Sequence, residues 1–270
     1  MLQNANINLS KFLASGYQVF ENVIPLEIIS EINDFLSHKV TDTLEPAKHE
    51  LKCSTDDELV RIVGKIATGS NGGLESISKA TKDALSGHFS LETRLSETLW
   101  KVPLSTNLQI ILKALIRSDN ISMHMPPTAR FVLPMNLHAG VPPHQDISYN
   151  KHMKNFVTIW VPFVDIDDEC GGVTVYEGSG FEQEHETIQT SSDFWLKSVP
   201  TKNFKPIHCT MKVGSILALN KYVVHSSTPN QSSRTRLSID YRFFNKKYGS
   251  TKHSLDLKHR LISKPQEESM

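Results

Sequence analysis

The 270-residue chain has no excess of charge of either sign: 29 lysines and arginines balance 29 aspartates and glutamates. Proteins that bind nucleic acid or lie on a membrane surface usually carry a basic excess, so neither partner is expected here. Cysteine is scarce. Cys53, Cys170 and Cys209 are scattered, odd in number and form no Cys-x-x-Cys, which argues against a disulfide framework or a zinc knuckle and predicts reduced thiols in a cytoplasmic protein. No apolar run approaches the length that spans a bilayer. There is no basic start followed by an apolar stretch, and no Ser-Lys-Leu address, so neither secretion nor peroxisomal import is expected. Repeats and low-complexity stretches are absent. The glycines of Gly69-Ser70-Asn71-Gly72-Gly73 lack the spacing of a phosphate cradle and read as a loop.

What is present is a change of period. In the first half, Ile28, Ile29, Ile32, Phe35 and Leu36 follow Pro25 at helical spacing. Leu59, Ile62, Val63 and Ile66 follow the capping candidates Ser54-Thr55-Asp56-Asp57, and Leu108, Ile111, Leu112 and Leu115 make a third stripe. From about residue 121 the sequence predicts strands over Ile121–Met125, Ala129–Leu137, Val157–Val164, Val173–Tyr176, Met211–Leu219 and Leu237–Phe244. Along the last of these, Leu237, Ile239, Tyr241 and Phe243 share one face while Arg236, Ser238, Asp240 and Arg242 share the other. A polar strand face opposite an apolar one fits a barrel whose interior holds a charged ligand. The expected fold is mainly β with flanking helices (α+β), a jelly-roll-like barrel buttressed by the N-terminal helices. One domain is expected, helix-rich over 1–118, barrel over 119–245, with a short helix and frayed tail over 246–270.

His144-Gln145-Asp146 carries the chemistry. On an extended strand, residues two apart share a face, so His144 and Asp146 can offer an imidazole nitrogen and a carboxylate oxygen to one metal. A second imidazole would complete two histidines and one carboxylate on one side of an octahedron, leaving the other side open, as non-haem Fe(II) oxygenases require. His225 and His208 compete for that place. His124 and His138 read as packing or supporting residues.

His144-Gln145-Asp146, the run from Trp160 to Ser179 around Cys170-Gly171-Gly172-Val173, and His225-Ser-Ser-Thr-Pro-Asn-Gln-Ser-Ser-Arg-Thr-Arg236 together resemble the phytanoyl-CoA dioxygenase family. The opening Phe12-Leu-Ala-Ser-Gly16-Tyr17, followed by an apolar strand and a helix, is similar to the family's start. The resemblance is weakest over about 40–118 and after Tyr241. It implies a double-stranded β-helix that binds Fe(II) and 2-oxoglutarate and uses O2. It also implies His144, Asp146 and His225 as iron ligands, and Arg236, eleven positions after His225, as the anchor of the 2-oxoglutarate distal carboxylate. Arginine suits that task because its planar fork pairs with a carboxylate and stays charged. Ser227 and Asn136 are further implied contacts of 2-oxoglutarate. The reaction implied is hydroxylation of an aliphatic C–H of a small-molecule substrate, with release of succinate and CO2; a carboxylate at 146, not a small residue, argues against halogenation. Two family turns differ, with Gly178-Ser179-Gly180 and Val213-Gly214-Ser215 in place of Gly-Ser-His and Pro-Gly-Asp.

A Zn(II) hydrolase or isomerase on the same ligands, or a silent binding module, are the alternatives; an arginine anchor for a dicarboxylate distinguishes the oxygenase. Arg242 is read as a barrel-interior partner of substrate, Arg234 as a loop residue and Trp160 as core. Tyr149, Lys151, His152 and Lys154 could form a cationic lid or simply a solvated loop. Segment 180–205, with Phe181, Phe194 and Trp195, is the expected site of substrate contacts. A small polar metabolite is expected as substrate, and a monomer or homodimer as the assembly.

Overall fold

Apolar side chains recur every three or four positions over much of the first 116 residues, and the described part of that stretch is mainly helical. A computed structural model of the protein describes residues 8–68, 77–181, 183–190, 196–200 and 202–265. The 69–73 loop, Phe194 and Trp195 lie outside the described residues. Helix α1 (Ser10–Ser15) and strand β1 (Tyr17–Phe20) lead into α2 (Leu26–Leu51), α3 (Asp56–Thr68), α4 (Lys79–Leu85), α5 (Leu91–Leu95) and α6 (Thr106–Ile116). The start of α3 is capped as the sequence suggests: the Thr55 hydroxyl accepts from the Glu58 amide at 3.2 Å, while the Glu58 carboxylate accepts from the Ser54 amide at 2.9 Å. Among the described residues, no helix is long and apolar enough to cross a membrane.

Strands follow: β2 (Ile121–His124), β3 (Thr128–Val132), β4 (Phe156–Pro162), β5 (Gly172–Glu177), β6 (Glu186–Gln189), β7 (Leu196–Val199), β8 (Lys205–His208), β9 (Ile216–Asn220), β10 (His225–Thr228), β11 (Arg236–Asn245), β12 (Ser254–Asp256) and β13 (Leu261–Ser263). An eight-stranded sheet runs β1-β9-β4-β11-β2-β12-β13, with β3 also paired to β11. A three-stranded sheet, β10-β5-β8, packs against it, and β6-β7 form a separate hairpin. The pairings are antiparallel.

Both faces of the large sheet's centre are covered, so β4 and β9 read as nearly continuous apolar runs while β11 alternates. On its outer face Val157, Ile159 and Val161 of β4 and Leu237, Ile239, Tyr241 and Phe243 of β11 pack with Ile29, Ile32 and Leu36 of α2 and Leu108, Ile111 and Leu112 of α6. Each such side chain contributes about 1.5–3 kcal/mol by leaving water. The buried Tyr241 hydroxyl donates to the Leu99 carbonyl at 2.8 Å, which satisfies the one polar atom in that layer's centre. On the inner face Trp160, Leu217 and Leu219 meet Val173, Val175 and Cys209, joining the two sheets.

Two expectations are corrected. The strand expected over Ala129–Leu137 stops at Val132, because Pro134 has no N–H for the ladder and Met135 turns the chain at φ 58°. The expected C-terminal helix is one 3-10 turn, Lys246–Tyr248, after which β12 and β13 extend the large sheet through Leu255, opposite Met123. Leu255 and Leu257 join the core, and their burial decides the matter. Short polar strands such as β6 and β7, mostly solvent-facing, carry no alternation by which they could have been read.

Candidate metal centre and co-substrate pocket

The two sheets enclose a cavity of about 280 Å³. All four polar-face residues of β11, Arg236, Ser238, Asp240 and Arg242, line it, together with Thr128, Arg130 and Val132 of β3, Trp160 of β4, Gly172 and Val173 of β5, and His225, Ser226 and Ser227 of β10. The strand alternation read from sequence therefore gives the cavity wall correctly. Trp160 is both core and wall.

His144 and His225 meet as a reciprocal backbone bridge, each amide donating to the other's carbonyl at 2.9 Å. This sets the rings 4.2 Å apart, centroid to centroid. Gln145 is extended, and Asp146 then opens a 3-10 turn, Asp146–Ser148, so a strand pair becomes a bent tripeptide that still aims both ligands inward. Gln145 holds the bend: its Nε2 donates to the Gln183 and Tyr222 carbonyls, and its Oε1 accepts from the His185 amide. One nitrogen from each histidine and one Asp146 oxygen all lie within 4.8 Å of one another, and all three residues are buried.

The tautomers follow from the neighbours. His144 Nδ1 lies 2.9 Å from the Pro142 carbonyl and His225 Nδ1 3.0 Å from the Val223 carbonyl. A carbonyl can only accept, so both Nδ1 atoms carry the proton and both Nε2 lone pairs are free for a metal. Burial, with His225 alongside, pushes the His144 imidazole down to about 3, so it is neutral where a metal would bind. Burial alone would raise the Asp146 carboxyl, but Arg242, then the two histidines and Thr158, hold it well below the usual carboxylate range.

Arg242 lines the cavity as its place on the strand suggested, but it is already paired. Its Nη2 and Nε donate to Asp146 Oδ1 at 2.7 and 3.3 Å, while Thr158 donates to Oδ2 at 2.5 Å. Both oxygens are thereby fixed, each with a lone pair left for a cation. Sequence reasoning missed Thr158, although it is the one hydroxyl in the otherwise apolar β4.

Arg236 is set differently. Its Nη1 donates to the Thr228 carbonyl at 2.9 Å and lies 3.4 Å from the Cys170 carbonyl. Its buried Nε has no partner. Arg236 lines the cavity, and no hydrogen bond among the described residues occupies its Nε–Nη2 edge, which matches a carboxylate side-on. Burial pushes the guanidinium down to about 10, still charged at neutral pH. Gly171 permits this arrangement: at φ 70° a Cβ there would stand 2.2 Å from the Pro229 carbonyl oxygen. Ser227 joins the wall beside His225.

Asn136 lies elsewhere. Its Nδ2 donates to the Leu85 carbonyl at 2.9 Å and its Oδ1 accepts from the His138 amide at 3.1 Å, so it ties β3's exit to α4 behind the cavity. His208 faces Asp168 outside the site, and Arg234 pairs with Asp167 in the loop. Lys151 pairs with Glu184 at 3.0 Å and does not line the cavity, whereas Tyr149 does. His124 lines it too, 3.3 Å from His152. From the stretch where the resemblance was weakest come His88 and Arg94, two wall residues with no sequence signal.

A model of the phytanoyl-CoA dioxygenase (PhyH) family matches residues 12–238. A 112-residue stretch is 29% identical to a 1-deoxypentalenic acid 11-beta-hydroxylase of Streptomyces exfoliatus; it covers 37% of this chain and 40% of that protein's length. The solved epimerase SnoN, in complex with Fe3+, alpha ketoglutarate and nogalamycin RO, superposes with a TM-score of 0.59 at 15% identity over 89% of this chain and 83% of its own. EvdO2 from Micromonospora carbonacea var. aurantiaca, complexed with 2-oxoglutarate, gives 0.58 at 13% over 98% and 96%. At those identities the likeness is one of fold, the double-stranded β-helix.

Proposed function

The chain belongs to the phytanoyl-CoA dioxygenase family, and we propose that it is an Fe(II)- and 2-oxoglutarate-dependent dioxygenase that hydroxylates an aliphatic C–H of a small molecule. Succinate and CO2 are the co-products. The observation that carries this reading is the pairing, in one cavity, of three converging ligand atoms with an arginine whose carboxylate-matching edge is open. A hydrolase on the same ligands has no use for that edge. The similar Streptomyces protein's name, a hydroxylase of an organic acid, supports C–H hydroxylation.

Ferrous iron with 2-oxoglutarate and O2 supplies the oxidising chemistry. The chain's residues do the rest. His144, Asp146 and His225 hold the metal through atoms whose protonation is already set by Pro142, Val223 and Arg242. Arg236 grips the distal carboxylate of 2-oxoglutarate, and the Ser227 hydroxyl donates beside it. Val132, Trp160 and Val173 exclude water around that pair, which strengthens it. A carboxylate at 146, where halide chemistry would need a small residue, supports hydroxylation over halogenation. The chain works as a single oxygenase domain, a monomer or homodimer, in the cytoplasm; its three cysteines are free thiols.

Anaerobic addition of Fe(II) and 2-oxoglutarate should produce a weak visible charge-transfer band, lost in His225→Ala together with succinate release. Absence of the band in the unmutated protein would sink the reading.

A further inference from the structure

The cavity wall holds more positive charge than the metal and co-substrate account for. Among its described residues, Arg94, Arg130, Arg236 and Arg242 face Asp240, with Asp146 behind Arg242. Four cations thus stand against two carboxylates. Burial, with arginines alongside, pushes His88 down to about 3, and His124 is likewise down to about 3, so neither changes that balance near neutral pH. A divalent metal and dianionic 2-oxoglutarate cancel, and the excess persists when both are bound.

The arginines are not equivalent. Arg242 is committed to Asp146, Arg130 donates to the Ser86 and Ala139 carbonyls, and Arg236 is placed for the co-substrate. The side chain of Arg94, in the last turn of α5, has no hydrogen bond or ion pair among the described residues, and its Nε is buried without a partner. Asp83, the acid whose charge acts on it, is taken by Lys79 at 2.6 Å. A half-buried guanidinium with an orphaned N–H on a cavity wall is a site for an anion. Among the described residues the Asp240 side chain has no hydrogen bond or ion pair either, and it is close enough to Asp146 and His225 to feel their charges. It disfavours an anion at the metal end and so leaves the Arg94 end for one.

We infer that the substrate is a small carboxylic acid whose carboxylate is held by Arg94, with its uncharged part directed toward Asp240 and the metal. This deepens the oxygenase reading and rests on it for the reaction, though not for the binding. Arg94 is a specificity residue supplied by the helical region, not by the barrel.

The test uses matched pairs of small carboxylic acids and their primary amides. Binding is followed by calorimetry with and without Mn(II) and 2-oxoglutarate, and succinate release with Fe(II). Acids should bind and trigger succinate release where their amides do not. Arg94→Leu should weaken the responding acids by about 10- to 100-fold, the loss expected for a hydrogen-bonded charge pair, while Arg94→Lys keeps part of the preference. The 2-oxoglutarate affinity of Arg94→Leu serves as the folding control. A panel in which no acid outperforms its amide, whether because amides work equally or because nothing responds, overturns the inference, as does an acid preference that survives Arg94→Leu. Failure of the oxygenase reading shows separately, as a missing charge-transfer band, and leaves the calorimetry readable.

Discussion

Arg236 and Arg242 stand on one face of one strand, at opposite ends of the same cavity, and they differ in what already fills their forks. Arg242 directs its Nε–Nη2 edge onto Asp146, making a pair that is complete before any ligand arrives. Arg236 anchors only Nη1 to backbone carbonyls and keeps the equivalent edge open. The first arginine is part of the metal site's frame; the second is a receptor. A buried cation's role is thus set by which of its N–H groups the protein itself satisfies, and two identical residues on one polar stripe can have unrelated tasks.

Exchanging that commitment for an apolar side chain should separate the two ends. Arg236→Leu should weaken 2-oxoglutarate by about 100-fold, since the distal carboxylate then meets no cation in a buried site, with metal affinity and thermal stability nearly kept. Titration of 2-oxoglutarate against the charge-transfer band measures it; an unchanged affinity would remove Arg236 from the co-substrate site. Arg242→Leu should do the reverse. It strands a buried carboxylate, costing about 3–5 kcal/mol of metal-free stability in chemical denaturation. Because a bound divalent cation can take over Arg242's charge, added metal should restore more stability to this variant than to the parent. Equal metal-induced stabilisation in both would show that Arg242 does not act through Asp146.

The smallest effect is in pH. Burial chiefly, with His152, Arg242 and Lys252, depresses His124 to about 3, and burial with Lys252 and Arg242 depresses His152 to about 4. In the unfolded chain both take up protons below about 6.5. Stability is therefore fully present above that value and is lost as pH falls toward the folded-state values, because the unfolded state binds more protons in that window. Denaturation at pH 7 and pH 5 should show the loss. Arg242→Leu should shrink it slightly, because one charge opposing protonation is gone, and Arg236→Leu should leave it alone.

Much of this was readable beforehand, for reasons that differ residue by residue. The four cavity-facing residues of β11 followed from a period of two, which any buried antiparallel strand must obey. His144 and Asp146 followed from the donors a metal needs two apart on an extended segment, while His225 was preferred over His208 through the family resemblance; the three lie together. Alternation placed Arg242 on the cavity face but could not give its partner, Asp146, which lies 96 positions away. Asn136 was placed on a ladder that Pro134 had already ended. Nothing in the local pattern around Arg94 distinguished it from any helix-surface arginine; only its place on the cavity wall does.

The amino-acid order alone determined the helix-then-strand layout, the inward polar stripe and the donor set, because each rests on local periodicity or on the chemistry of a side chain type. Which nitrogen of each histidine is free, which arginine is already paired and which still has an open edge were decided only by tertiary structure. Those properties depend on contacts between segments far apart in sequence, such as Arg242 of β11 with Asp146, or His144 with His225.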